Sequence, residues 1–152
     1  MEKDKSIDHQ LRATWQAVAK LYNEQAAKYD STMATAFVLL NIDYEKGTPS
    51  TALGPLMGME PTSLSRILKT MEDKGVISRE KNPKDGRSVI IIITDYGKKM
   101  RELAKESVYQ FNNKVRECIT AEELENFFKV TSIINKLIAD KMIYNNNSKK
   151  AV

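Results

Sequence analysis

One histidine and one cysteine are all that this 152-residue chain carries of those two residue types. With His9 alone, a histidine-based metal cluster or catalytic triad is excluded by counting. With Cys118 alone there is no intramolecular disulfide, which fits a reducing compartment. No apolar run approaches the ~20 residues that a membrane span needs. Met1-Glu2-Lys3-Asp4-Lys5 leads into no signal-peptide core, so a cytoplasmic protein without a membrane partner is expected. There is no nucleophile–base pair and no glycine-rich phosphate loop, so neither an enzyme nor a cofactor is expected. What the chain does have is ordinary globular composition, 41% hydrophobic and 29% charged. Its length suits one domain able to bury a core without metal or disulfide.

Apolar residues at Ile7, Leu11, Trp15, Val18, Tyr22 and Tyr29 recur mostly at threes and fours, which predicts a helix over 7–29. Asp30-Ser31-Thr32 offers N-cap chemistry for a second helix through Phe37, Val38 and Leu40, extending to Tyr44 with Gly47 as its stop. Thr48-Pro49 reads as a cap followed by proline at the first helical position. That third helix would carry Leu53 and Leu56 and end at Gly58, with Gly54-Pro55 expected to kink or shorten it. Pro61 opens a fourth helix ending near Lys74, with Gly75 as a left-handed cap. Then the period changes. Val76–Lys81 and Val89–Ile93 read as two strands of a hairpin around the turn formers Asn82–Arg87. Thr94-Asp95 caps a fifth helix. Thr120-Ala121-Glu122-Glu123 is a capping box that opens a sixth. The polar end from Asn145 is expected to fray.

The fourth helix divides cleanly. Leu64, Ile67, Leu68 and Met71 fall on one face. Thr62, Ser63, Ser65, Arg66 and Lys69 fall elsewhere, as short hydroxyls and long cations of the kind that contact phosphates and base edges. A solvated amphipathic surface helix would look similar. The hairpin that follows weighs against that reading. Between Arg66 and Arg87 lie seven cations and four acids, so most of the chain's net +4 sits in this stretch. Arg79, Lys81, Lys84 and Arg87 are the candidate contacts in it. An arginine at a hairpin tip can enter a narrow minor groove, where the potential is most negative. Helix, turn, helix and hairpin together make a winged helix-turn-helix, mainly α with a small β wing.

The residues that carry this pattern also resemble a known family. They are Pro61-Thr62-Ser63-Leu64-Ser65-Arg66, then Met71-Glu72-Asp73-Lys74-Gly75-Val76-Ile77-Ser78-Arg79, then Pro83-Lys84-Asp85-Gly86-Arg87-Ser88, then Ile93-Thr94-Asp95-Tyr96-Gly97. In this order and at these spacings they closely resemble the MarR (multiple-antibiotic-resistance regulator) family. The resemblance implies a single domain over 1–152, with the winged helix-turn-helix at about 33–97 and dimerisation helices at about 7–29 and 95–144. It implies that Thr62, Ser63, Ser65 and Arg66 face the major groove and that Arg87 enters the minor groove. Asp85 would brace the wing by pairing with Arg79 or Arg87. Glu60 departs from the family's usual serine or aspartate cap.

The first and last helices are too apolar for one chain to cover. Ile7, Leu11 and Trp15, with Phe127, Phe128, Ile134 and Ile138, are expected to interdigitate with a second copy, although internal packing in a monomer is the alternative. A twofold dimer would set two reading helices about 34–36 Å apart, matching a palindrome. The resemblance further implies a small aromatic or phenolic effector in a crevice between dimer body and winged part. Trp15, Tyr22, Tyr29, Met33 and Phe37 are its candidate lining, and plain core is the other reading of the same residues. Cys118, near Lys114 and Arg116, is expected to be buried and inert and not an oxidant sensor. The expected function is a repressor that binds double-stranded DNA as a homodimer and is released by a ligand. A winged-helix module that binds protein and not DNA is the alternative.

Overall fold

The computed structural model describes residues 6–144; the polar end read as frayed lies outside them. Nine elements follow in order: α1 (Ile7–Ala27), α2 (Met33–Asn41), β1 (Thr48–Pro49), α3 (Ser50–Met57), α4 (Pro61–Asp73), β2 (Ile77–Lys81), β3 (Val89–Ile93), α5 (Asp95–Cys118) and α6 (Ala121–Ala139). The chain separates into two compact units within α5, one up to Tyr109 and one from Gln110. No described helix is long and apolar enough to cross a membrane.

Thr32 caps α2 as expected, its hydroxyl accepting the Thr35 N–H at 3.2 Å. The helix nevertheless stops at Asn41, short of Tyr44. The reason is local. Asp43 Oδ1 accepts the N–H groups of Glu45 and Lys46 at 2.9 and 2.8 Å, an Asx turn that competes with further helix. Those two bonds also hold the Asp43 carboxyl below its ordinary value. Gly47 is therefore no helix stop. Its φ is +69°, and a Cβ there would lie 2.6 Å from the Ile91 carbonyl oxygen.

Thr48-Pro49 departs from the sequence reading as well. The pair forms a strand, with Thr48 opposite Ile91 and Pro49 opposite Ile90. The Thr48 hydroxyl accepts the Asp43 N–H at 2.8 Å, so it closes the turn and does not cap α3. Proline suits an edge strand because one face of that strand needs no donor. The expected hairpin is thus the larger part of a three-stranded sheet, ordered β1-β3-β2. Pro55 does not break α3, which runs on to Met57 and ends at Gly58 with φ +61°.

Α4 ends in a Schellman motif around Gly75: the Val76 N–H reaches the Met71 carbonyl and the Gly75 N–H that of Glu72, each at 2.9 Å. The next junction is equally defined. Thr94 Oγ1 donates toward the Gly75 carbonyl at 2.6 Å and accepts the Gly97 N–H at 3.0 Å. One hydroxyl thereby joins the end of α4 to the start of α5. The core lies in the first unit, where Val38, Leu39, Ile42, Leu53, Leu64, Leu68, Met71, Ile77 and Ile91 are buried in one cluster.

In the second unit the Thr120 capping box forms as expected, both halves present. No residue of α6 is buried, and Phe127, Phe128, Val130, Ile133 and Ile138 are each half exposed or more.

Candidate nucleic-acid interface

Α4 owes its placement to three side chains. Leu64, Leu68 and Met71 are buried and Ile67 is half-buried, so this stripe fixes the helix against the core. The opposite side is open: Thr62, Ser63, Ser65, Arg66 and Lys69 are all exposed. Glu60 stands at the N-cap without a side-chain cap bond. Lys69 Nζ meets Asp73 Oδ2 at 3.3 Å, with both groups largely in solvent. Such a pair is worth only a few tenths of a kcal/mol, so it exchanges easily for a phosphate.

The wing is built from β2 and β3 in register from Ile77 opposite Ile93 to Lys81 opposite Val89. Side chain–backbone bonds set its tip. Asn82 Oδ1 accepts the Lys84 N–H at 3.0 Å, and Asn82 Nδ2 donates to Ser88 Oγ at 2.7 Å. Asp85 does brace the wing, but not through a guanidinium. Its Oδ1 accepts the backbone N–H of Arg87 at 3.0 Å. Arg79 is committed elsewhere, its Nε 2.9 Å from Glu72 Oε2. Arg79 sits in the strand beside α4, whereas Asp85 belongs to the turn beyond the strand's end. Arg79 is thus a tether between wing and α4 in addition to being a cation near the interface. Lys81, Lys84 and Arg87 are exposed along the outer part of the wing.

If the wing tip meets DNA, replacing Arg87 by alanine is expected to weaken binding to a duplex by about 1–3 kcal/mol. The backbone bond from Asp85 does not need the Arg87 side chain, so the wing's fold should persist. Fluorescence anisotropy with a labelled operator measures the loss. Unchanged affinity would remove the wing tip from the interface.

Four of the five residues expected to line an effector crevice do line a common cavity in the first unit. Tyr22, Tyr29, Met33 and Phe37 face it, and the Tyr22 and Phe37 rings meet edge-on, 6.0 Å apart at 72°. Trp15 does not. It lies two helical turns before Tyr22 on α1 and is 52% exposed. The cavity measures about 40 Å³. Beside its wall stands Asp30, in the left-handed region at φ +52°. Its carbonyl and carboxylate both accept from Lys74 Nζ, at 2.7 and 2.9 Å. Lys74 is the C-cap of α4. This clasp spans 44 residues of sequence, and no local pattern marks it.

Of the residues expected to meet a second copy, Ile7, Leu11, Trp15, Phe127, Phe128 and Ile138 are exposed, and Ile134 is intermediate. Cys118 is exposed and not buried as expected. It is the last residue of α5, where burial within one chain has run out although apolar residues continue through Phe111 and Val115: among the described residues of α5 only Gly97, Met100 and Ala104 are buried, all in its first half.

A family model described as the MarR family matches residues 32–89. The HTH-type transcriptional regulator SarZ of Staphylococcus saprophyticus is 29% identical over 135 residues, covering 83% of this chain and 92% of that protein. Among solved structures, the PcaV transcriptional regulator from Streptomyces coelicolor, in complex with its natural ligand, has the same fold. Its TM-score is 0.77 at 19% identity, covering 90% of this chain and 96% of that one. CouR from Rhodococcus jostii RHA1, bound to p-coumaroyl-CoA, gives a TM-score of 0.76 at 19% identity, with 88% and 94% covered.

Proposed function

We propose that the chain is a transcriptional regulator of the MarR family, which it resembles at residues 32–89 and along SarZ, and that it binds a palindromic operator as a homodimer, acting as a repressor that a small effector releases. The observation that carries this reading is the open face of α4. Five exposed side chains of groove-contacting type lie next to a wing whose exposed tip carries Lys84 and Arg87. A rounded helix of this kind fits a major groove about 12 Å wide, and the wing tip would then meet the adjacent minor groove.

Support for the dimer comes from α1 and α6. Neither buries a residue within one chain, yet both carry large apolar side chains. A twofold pairing would cover each patch with its own copy. Effector control is supported by the cavity beside Tyr22 and Phe37, and by the ligand-bound states of PcaV and CouR. The cavity is too small for an aromatic ring as it stands. An occupant would have to push the segment at Tyr29–Met33 outward, and that segment holds Lys74 through Asp30. A ligand acts only if it favours one arrangement over another, and the clasp gives the two arrangements a mechanical link.

Binding to a palindromic duplex, followed as salt is raised, tests the proposal. With roughly six to ten phosphate contacts per dimer, affinity should fall by about 10³–10⁵ between 50 and 200 mM salt. A protein that ignores every duplex at low ionic strength is no DNA-binding regulator of this kind.

A further inference from the structure

The charge of the effector can be read from the cavity wall. We infer that the site takes an uncharged aromatic molecule and rejects one that carries a carboxylate; this rests on reading the cavity as the effector site. No side chain lining it is charged. Tyr22, Gln25, Tyr29, Ser31 and Ser107 are the polar residues along it, but the surface they leave to the cavity is almost wholly apolar. Burial pushes the Tyr22 pKa up, so its hydroxyl stays neutral. Ser107 donates its hydroxyl proton to the Leu103 carbonyl at 3.0 Å, leaving its oxygen as an acceptor.

None of the cations interleaved with the lining residues lines the cavity itself, although Lys28 holds the wall residue Gln25 and the buried Arg101 Nε has no partner among the described residues. Lys28 is exposed, its Nζ 2.8 Å from Gln25 Oε1. Lys74 is held by Asp30. On α5, Arg101 donates to the Ile42 carbonyl at 3.0 Å and lies over the Tyr44 ring, while Lys105 pairs with Glu102 at 2.8 Å. A carboxylate entering here loses its hydration and meets no opposite charge, the costliest kind of burial. A neutral ring with a hydroxyl or amide loses far less, because taking a neutral polar group out of water costs much less than taking out an ionised carboxylate. Room comes from Met33, whose thioether side chain has several accessible shapes, and from Tyr29, which is 44% exposed.

Calorimetry on the full chain with 4-hydroxybenzamide and 4-hydroxybenzoate, matched in ring and hydroxyl, separates the two charges. At pH 7.5 the amide should bind at least about tenfold more tightly. If only the protonated acid enters, the benzoate's apparent affinity should rise about tenfold for each unit that pH falls between 8 and 6. Ala36→Leu, which fills the cavity, should abolish binding of the amide. Equal or tighter binding of the benzoate at pH 7.5 overturns the inference. So does amide binding that survives Ala36→Leu, or failure of both probes at millimolar concentration. If the amide binds as described but leaves a labelled operator bound, the charge assignment stands and the regulatory reading falls.

Discussion

Phe127→Asp combined with Phe128→Asp should turn the protein into a monomer and lower its affinity for a two-half-site operator by about 10²–10⁴. The figure is the usual advantage of linking two binding modules over one alone. Both rings are more than half exposed in a single chain, and they meet at 5.7 Å with their planes tilted by 58°. Substitution should therefore cost the single chain little, since exposed changes are usually within about 0.5 kcal/mol. In a twofold interface the same two aspartates would be buried without a counter-charge, which opposes association strongly. Light scattering reads the mass and anisotropy reads the affinity. A variant that stays dimeric at micromolar concentration would move the interface away from α6. One that becomes monomeric yet binds the full operator unchanged would show that pairing contributes nothing to recognition.

Gly97→Ala should destabilise the fold by about 2–3 kcal/mol, lowering Tm by roughly 5–15 °C. On helix propensity alone the change would help, since alanine is favoured over glycine by about 1 kcal/mol inside a helix. Packing decides the sign. A Cβ at Gly97 would overlap the Val76 carbonyl oxygen and approach Ile93 Cγ2 to 2.8 Å. The obstacle is backbone, which cannot turn aside as a side-chain end can. Gly86→Ala is the matched control, because a Cβ there meets nothing within 4 Å. Thermal unfolding of the two variants should differ in direction or at least widely in size. Equal Tm values would mean that α5 can pull back from the sheet at little cost.

Where periodicity was strong, sequence and structure agree. The Leu64, Leu68 and Met71 stripe is buried, the two longer strands lie where their β-branched runs placed them, and Thr32, Gly58, Gly75, Thr94 and Thr120 cap as their types suggest. Disagreement gathers at one short stretch. From Ile42 to Pro49 the chain is governed by an Asx turn and by pairing with a strand some 40 residues later, neither of which leaves a period to read. The exposed groups of the candidate interface were legible because an amphipathic helix advertises its free face. The partners of Arg79 and Lys74 were not, because each depends on how separate elements meet. Cys118 misled for a related reason: average burial of cysteine says little about a residue at the end of a helix.

The middle strand, β3, pairs on one edge with residues that precede α3 and on the other with the wing's first strand. The wing is thereby stitched to the segment before α3 in one three-stranded plate, against which α4 packs through β2. Such a plate cannot easily alter which bases it prefers. An effector working on it would change how far apart two plates stand, so occupancy would vary with ligand while the sequence selected from a random pool stayed the same.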